Sequence, residues 1–284
     1  MSGKLFVVGT PIGNLSDFSP RAIETLKQAD FIAAEDTRVT IKLLNKFCIE
    51  TPMVSYHKFN THDKGEEICQ RIENGENCAI VTDAGMPCIS DPGEMLVKQC
   101  ADRGITVCVV PGPTALASAL AISGLPTGRF AFEGFLSVNK PSRREHLLSL
   151  INEQRTMIFY EAPHKLSATL KDMYKCFGNR RISIVRELTK LHEEVIRTTL
   201  SEAVEKYADG NVKGEIVLIL EGAEKPQKTG SSTIEEAVEL AVELNASGIS
   251  LSDAAKESAK VTGFKKGDIY KELLSRQSDI QGEE

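Results

Sequence analysis

Two aspartates, two glycines and two prolines stand within the twelve residues TDAGMPCISDPG (82–93), directly after the apolar run Ala79–Val81. Glycine lets a backbone approach a ligand closely and proline fixes the path of a loop, so this composition is typical of a binding loop. In open α/β sheets, ligands bind beyond the carboxyl ends of the strands. We therefore expect this loop to contact a ligand.

Three similar loops also follow or close apolar runs. They are GTPIGN (9–14) after Leu5–Val8, PGPTAL (111–116) after Val107–Val110, and YEAPHKL (160–166) at the end of Met157–Tyr160. One such loop is usually only a turn, but four at strand ends indicate a shared ligand cleft. Neither GxGxxG nor GxxxxGK[ST] occurs, which argues against a conventionally bound NAD or a P-loop nucleotide.

The elements that must position these loops alternate between strand and helix. Further β-branched runs are Phe31–Ala34, Ile182–Val185 and Ile216–Leu220, and Ser19-Pro20 is a typical helix start. This alternation predicts an α/β fold with largely parallel sheets. We expect a first α/β domain at 1–115 and a second at 116–224.

Residues 225–284 are expected to form a linker and a small helical domain. PQKTGSST (226–233) is typical of a linker, and Thr233 with Glu236 predicts a capping box. The segment around Thr262-Gly263 predicts two short helices, which are either a helix-turn-helix or a simple helical cap.

Composition narrows the class of protein. The chain has 284 residues, of which 41% are hydrophobic and 26% charged, as in globular domains. No apolar stretch reaches the ~18 residues of a membrane span, and the N-terminus lacks the features of a signal peptide, so we predict a cytoplasmic protein without a membrane partner. The seven cysteines are scattered, which predicts reduced thiols and no metal site.

Charge is distributed unevenly along the chain. The net charge is −6, but residues 140–190 carry eleven Lys/Arg against five Asp/Glu. This stretch indicates either a face that contacts a polyanion or a solvated helical surface.

Several motifs together resemble the tetrapyrrole-methylase superfamily of S-adenosylmethionine-dependent methyltransferases, also called class III methyltransferases. The motifs are VVGTPIGNLSD (7–17), AEDTR (34–38), TDAGMPCISDPG (82–93), VVPGPTA (109–115), FEGFL (132–136), FYEAPHKL (159–166), RELTKLHEE (186–194) and KGEIVLILEG (213–222). Their combination is most similar to the bacterial 16S rRNA (cytidine-2′-O)-methyltransferases. The resemblance implies two α/β domains with the donor cleft between them, and a homodimer. It also implies S-adenosyl-L-methionine as the methyl donor, and a decoding-centre cytidine of 16S rRNA or the 30S subunit as substrate.

The resemblance also implies which residues hold the donor. GMPCISD (85–91) is similar to the family's GDPxxYG loop but departs from it at Met86, Ser90 and Asp91. The implied cofactor-binding residues are Pro11, Asp83, Gly85, Met86, Ile89, Ser90, Thr114, Ala115, Tyr160, Glu161, Ala162, Gly214 and Glu215.

A ribose hydroxyl is a weak acid, so its methylation is helped by a base or a local positive charge. Asp36, Glu187 and Lys190 are the candidate catalytic residues, and Asp83 is a further candidate that could instead stabilise its own loop. Glu187 and Lys190 would share a face if this stretch were helical, or could simply form a surface ion pair.

Contacts to RNA phosphates are expected from basic residues in or near the motifs. The candidates are Arg21, Arg38, Arg143, Arg144, Lys165 and Arg186, of which Arg38 and Arg186 occupy motif positions. RNA bases stack on aromatic side chains, so Tyr56, Phe132 and Phe135 are possible platforms. His164 either touches the substrate or packs its loop.

Two other functions fit the same motifs. One is a methyltransferase of a small tetrapyrrole, which would ignore ribosomal RNA. The other is a non-catalytic RNA- or ribosome-binding factor that retains the donor cleft. The basic 140–190 stretch favours an RNA substrate.

Overall fold

The computed structural model describes residues 2–210, 212–224, 233–246 and 249–281. The predicted linker at 226–233 lies outside the described residues except for Thr233. Within the described ranges, a first sheet contains β1 (Lys4–Val8), β2 (Phe31–Ala34), β3 (Met53–Ser55), β4 (Cys78–Val81) and β5 (Thr106–Val110). Their order is β3-β2-β4-β1-β5, and every neighbouring pair is parallel.

Helices connect the strands of this sheet and cover both faces. They are α1 (Pro20–Gln28), α2 (Thr37–Lys46), α3 (Thr61–Glu73) and α4 (Gly93–Asp102). Strand β2 shows why the strands are apolar throughout, since Phe31 and Ala33 pack in one core cluster while Ile32 and Ala34 pack in the other. A parallel strand buried on both faces needs such a continuous apolar run.

Connections in the first sheet run in opposite directions from β1 and β4, since β1 leads to β2 on one side and β4 leads to β5 on the other. Strand β1 is followed in the sheet by β5 on one side and by β4 on the other, so the loops after β1 and β4 leave the sheet side by side. Ligands of open α/β sheets bind at such a switch point.

A second sheet contains β6 (Phe130–Phe135), β7 (Thr156–Glu161), β8 (Arg181–Arg186), β9 (Glu194–Thr199) and β10 (Ile216–Leu220). Helices α5 (Ala115–Ile122), α6 (Lys140–Ser149), α7 (Leu166–Phe177) and α8 (Leu200–Lys206) accompany it. The order is β6-β7-β10-β8-β9, in which only β6 and β7 are parallel. The expectation of largely parallel strands therefore holds for the first sheet, whereas β8 and β9 form an antiparallel hairpin through the short segment 187–193.

The α/β fold class is confirmed, and each predicted strand is present within two residues of its predicted ends. Ser19 caps α1 as expected, since its side chain accepts a hydrogen bond from Ala22 N at 3.1 Å. The domain boundary at 115/116 stays a prediction. Helix α5 begins there, and its Ala119 and Leu120 pack on the second sheet.

By its internal contacts, the chain divides into the units 1–223 and 224–284. The second unit contains α9 (Ile234–Ala246), α10 (Leu251–Thr262) and α11 (Lys266–Gln281) around a small apolar core. The predicted capping box is present, because Thr233 N donates to Glu236 and Glu236 N donates to Thr233 Oγ1. Gly263 ends α10 in the left-handed conformation at φ +85°. In the described part of the chain, no helix is long and apolar enough to cross a membrane.

Candidate functional site

We call the loops at 9–14, 82–93 and 111–116 the first, second and third loops. The first and third loops cross at two glycines. A Cβ built on Gly9 would lie 2.6 Å from Gly112 Cα, and one built on Gly112 would lie 2.8 Å from Gly9 Cα. Neither position can carry a side chain without moving a backbone. Gly112 N also approaches Met86 Sδ at 3.2 Å, which brings the second loop against this crossing.

The second loop is joined to the first by a two-residue bridge. Thr10 N donates to Gly85 O at 2.9 Å, and Gly85 N donates back to Thr10 O at 3.2 Å. Gly85 has φ +88°, while Cys88 and Ser90 have φ +70° and +63°. A left-handed backbone outside glycine costs about 1–3 kcal/mol and occurs often at functional sites. The loop is therefore held in one shape before any ligand binds.

A cavity of about 500 Å³ opens between these loops and the second sheet. We call it the larger cavity. Its lining residues come from both sheets and include Ile12, Glu35, Thr82, Asp83, Gly85, Met86, Ile89, Ser90, Asp91, Thr114, Ala115, Leu116, Phe135, Tyr160, Glu161, Ala162, Val185, Leu188, Glu215, Ile216 and Val217.

Acidic side chains dominate the charge of this lining. Burial raises the pKa of Asp83, and the nearby Glu35 raises it further. Burial also raises the pKa of Asp91, although Gly93 N donates to its carboxylate at 2.7 Å. Glu35 accepts a hydrogen bond from Thr82 Oγ1 at 2.6 Å. A cavity lined in this way favours a cationic ligand.

Aromatic rings form one wall of the larger cavity. The Tyr160 ring lies 5.0 Å from the ring of Phe132 and 5.5 Å from that of Phe135. The Tyr160 hydroxyl is fixed because it accepts a hydrogen bond from Leu116 N at 3.2 Å. This wall offers flat apolar surface to a planar ring.

A second cavity of about 270 Å³ adjoins the first. We call it the smaller cavity. The two share lining residues Ile12, Thr82, Asp83, Ala84 and Glu215. The smaller cavity alone is lined by Thr10, Pro11, Gly13, Leu15, Val39, Thr40, Leu43 and Lys190. Asp83 therefore lies where the two spaces meet.

The β8–β9 segment brings Lys190 to the smaller cavity. This segment is a turn rather than a helix, with Glu187 at φ +52° and Thr189 at φ +65°. Lys190 Nζ lies 2.9 Å from Glu187 Oε1 and 3.2 Å from Glu215 Oε2. Burial acts to lower the pKa of Lys190, but the two carboxylates outweigh it and raise that pKa. The hydrogen bond from Lys190 lowers the pKa of Glu187. The pair is therefore ionised at neutral pH.

Comparison with known proteins identifies this arrangement. Residues 4–204 match the family described as Tetrapyrrole (Corrin/Porphyrin) Methylases. The chain belongs to the tetrapyrrole methylase family. It is 45% identical over 278 residues to "Ribosomal RNA small subunit methyltransferase I" of Synechocystis sp., covering 98% of this chain and 99% of the relative. A protein of the same name from Thermotoga maritima is 48% identical over 222 residues, which cover 78% of this chain and all of the relative.

Solved tetrapyrrole methylases share the fold at low sequence identity. The methyltransferase CobJ matches with a TM-score of 0.58 and 19% identity, covering 78% of this chain and 95% of CobJ. Uroporphyrin-III C-methyltransferase of Thermus thermophilus, solved with S-adenosylhomocysteine, matches with a TM-score of 0.52 and 19% identity, covering 77% of this chain and 92% of that one.

Within this family fold, eleven of the thirteen predicted cofactor-binding residues line the larger cavity. Of the other two, Pro11 lines the smaller cavity. Gly214 lies against Glu187, since a Cβ built on it would be 2.5 Å from Glu187 Cδ. Their contact with a donor stays a prediction. Glu35 also lines the larger cavity and was not among the predicted residues. Its place at the end of β2, beside β4, could have indicated it.

The predicted catalytic residue Asp36 has a local structural role. It caps α2, accepting from Arg38 N at 2.8 Å and from the Arg38 guanidinium at 2.6 Å and 3.0 Å. These hydrogen bonds hold the pKa of Asp36 at about 2. Such a carboxylate binds protons weakly, which disfavours Asp36 as a general base.

The predicted RNA-binding residues differ in exposure. Three of them are exposed on helices, namely Arg21, Arg38 and Arg144. Lys165 is half-buried, and the neighbouring His164, the other candidate for contact with the substrate, is exposed. Arg186 is held by Glu194 at 2.8 Å and by Lys213 O at 3.0 Å. Their contact with RNA stays a prediction.

Two further candidates are buried, and we correct them here. Arg143 is only 7% exposed, and its guanidinium lies 2.6 Å from the Asp172 carboxylate. Tyr56 is almost completely buried in the core of the first sheet. Neither can reach an RNA molecule at the surface. Phe132 packs in the core of the second sheet, and Phe135 lines the larger cavity.

Proposed function

We propose that the larger cavity binds S-adenosylmethionine and that the protein methylates small-subunit ribosomal RNA. The observation that carries this proposal is a full-length match at 45% identity to a ribosomal RNA small subunit methyltransferase. The acidic larger cavity and its opening into a smaller cavity beside Lys190 support the same function.

The residues present fit the donor. Its sulfonium and ammonium groups are cationic, and the lining carboxylates of Asp83, Asp91 and Glu35 favour positive charge. The wall around Tyr160 suits the flat adenine ring. Gly85, at φ +88°, allows the loop backbone to approach the ligand without a side chain in the way.

We further propose that the acceptor is a ribose 2′-hydroxyl of a cytidine in the decoding centre. When bound, the donor supplies an activated methyl group, whose carbon bonds to the acceptor oxygen while the carbon–sulfur bond breaks and sulfur keeps the electron pair. The protein must hold the reacting atoms in line, which is a positioning task. The rigid second loop serves that purpose.

Asp83 is the residue best placed to take the hydroxyl proton. It lies at the junction of the two cavities, and one of its oxygens accepts a hydrogen bond from Asp36 N at 3.2 Å. Its raised pKa makes it a stronger base than an ordinary aspartate.

Lys190 acts as a fixed positive charge rather than as a base. Its raised pKa keeps it protonated at neutral pH, so it cannot accept the proton. Its charge stabilises the oxygen as negative charge develops there. Glu187 positions Lys190 through the 2.9 Å hydrogen bond.

A tetrapyrrole substrate is disfavoured by space. The smaller cavity, at about 270 Å³, falls below the roughly 300–1,000 Å³ typical of sites for drug-sized ligands. A macrocycle is larger than such ligands, whereas a single nucleoside is smaller.

We also propose that the protein is a homodimer that works on the 30S subunit in the cytoplasm. Strands β5 and β6 are sheet edges, and they expose the apolar side chains Val109 and Phe130. Exposed apolar edges are suited to burial against a second copy. Sedimentation equilibrium would test the dimer.

The function is tested with methyl-labelled S-adenosylmethionine and unmethylated 30S subunits, naked 16S rRNA or a tetrapyrrole as acceptor. The proposal predicts label in RNA and, after digestion, in 2′-O-methylcytidine. Label in a base would refute the ribose assignment, and label in the tetrapyrrole alone would refute the RNA substrate. Donor binding without transfer to any acceptor would favour the non-catalytic factor.

A further inference from the structure

The proposed function assigns the donor to the larger cavity, and the size and lining of the smaller cavity point to a different ligand. We infer that it takes a single nucleoside flipped out of the RNA, and that the Thr40 hydroxyl hydrogen-bonds to the base. This inference rests on the proposed function, because it names how the RNA enters the same site.

Proteins that recognise single-stranded RNA hold splayed-out bases by stacking or apolar contacts and by hydrogen bonds to the base edges. The walls of the smaller cavity include apolar side chains of Leu15, Val39 and Leu43. Helix α2 supplies Val39 and Leu43, and Leu15 begins the short helix that follows the first loop. These side chains offer apolar contact to the faces of a base.

Thr40 provides the polar group for base recognition. It lines the smaller cavity from α2, and only 4% of the residue is exposed. Within the described ranges, its Oγ1 has no hydrogen-bond partner. A buried hydroxyl normally has a partner, so the unpaired Thr40 hydroxyl has a hydrogen-bonding capacity that a ligand in the smaller cavity can satisfy. Threonine occupies two χ1 rotamers in helices, which lets the hydroxyl turn toward the cavity.

The smaller cavity also carries groups that suit a ribose, and two of them belong to the lining that it shares with the larger cavity. Asp83 and Glu215 line both cavities, and Lys190 reaches the smaller one. A nucleoside with its base near Thr40 therefore presents its sugar toward the donor. This orientation places a ribose hydroxyl, rather than a base atom, at the junction of the two cavities.

A pair of neighbouring residues on α2 allows a matched test. Val39 and Ile41 are exposed to 40% and 39%, but only Val39 lines the cavity. Val39→Phe should fill the pocket and lower kcat/KM for 30S subunits by about 100-fold or more, while the Kd for S-adenosylhomocysteine changes less than about twofold. Ile41→Phe should leave both quantities unchanged. Normal methylation by Val39→Phe would overturn the inference, as would an equal loss of donor binding.

Thr40 is tested with isosteric and conservative variants. Thr40→Val removes the hydroxyl and should lower kcat/KM by about tenfold, whereas Thr40→Ser should retain most of it. With 30S subunits reconstituted on 16S RNA that carries uridine at the target position, Thr40→Val should also show a smaller preference for cytidine over uridine. An unchanged preference would remove Thr40 from base recognition.

These outcomes are distinguishable from failure of the proposed function. If the unaltered protein transfers no methyl group to 30S subunits or 16S RNA, the proposed function fails. If the unaltered protein is active but Val39→Phe and Thr40→Val match it, only the nucleoside pocket fails.

Discussion

Lys190 Nζ lies 2.9 Å from Glu187 Oε1, on a turn in which Glu187 and Thr189 both have positive φ. This geometry fixes the position of the positively charged Lys190 ammonium group. We expect Lys190→Met to lower kcat by about 100-fold, and Lys190→Arg to retain more activity because it keeps the charge. Single-turnover methylation of 30S subunits measures the loss, with the Kd for S-adenosylhomocysteine as the control. A variant Lys190→Met as fast as the unaltered protein would contradict the assigned role.

Asp83 should set the acid limb of the pH–rate profile. A base must be deprotonated to act, so the methylation rate should fall as pH drops through the pKa of Asp83, which burial and Glu35 raise above the ordinary value of 3.8. Asp83→Asn should lose about 100-fold in rate and the acid limb with it. Asp102→Asn, exposed on α4, is the control. An acid limb that survives in Asp83→Asn would assign it to another group.

The crossing of the first and third loops should not tolerate a methyl group. Gly9→Ala would place Cβ 2.6 Å from Gly112 Cα, so we expect a loss of about 2 kcal/mol in the free energy of unfolding and weaker donor binding. Gly128→Ala is the matched control, because nothing lies within 4 Å of a Cβ built there. Urea unfolding measures the free energy of unfolding of both variants. Equal stability of the two variants would show that the crossing can relax.

Strands buried on both faces were predictable because their sequence is apolar without interruption. Strands β2 and β10 match the predicted runs at both ends. Strand β9 was missed because EVIRTT (194–199) mixes charged and polar residues at a half-buried edge. Strand β3 was missed because three residues give no period. The antiparallel pairings followed from the β8–β9 hairpin, which contains neither Gly nor Pro to mark a turn.

The site was predictable where residue type itself indicates the backbone conformation of a binding loop. Glycine and proline marked the loops that form the larger cavity. The sequence could not show that Asp36 caps a helix, or that Glu187 reaches Lys190 through a left-handed turn. It also could not separate the neighbours Arg143 and Arg144, of which only Arg144 is exposed. The cap and the turn depend on local backbone conformation, and the burial of Arg143 depends on its tertiary contact with Asp172.

The neighbours Arg143 and Arg144 give a further prediction. Arg143→Ala breaks a partly buried ion pair with Asp172 and should lower the free energy of unfolding by about 2 kcal/mol. Arg144→Ala should leave stability within about 0.5 kcal/mol. If Arg144 contacts a phosphate, its loss should also reduce the salt dependence of RNA binding. Unfolding midpoints and binding at several salt concentrations separate the two roles, and the reverse pattern would contradict the structure.

The most direct test of the account is calorimetric titration of the full chain with S-adenosylmethionine and S-adenosylhomocysteine. Both ligands should bind saturably at one site per chain, and this binding should be lost when Ser90→Trp fills the larger cavity. Added salt should weaken binding of the cationic donor more than binding of its neutral product, because the lining is acidic. A folded protein that releases no heat with either ligand would contradict the account.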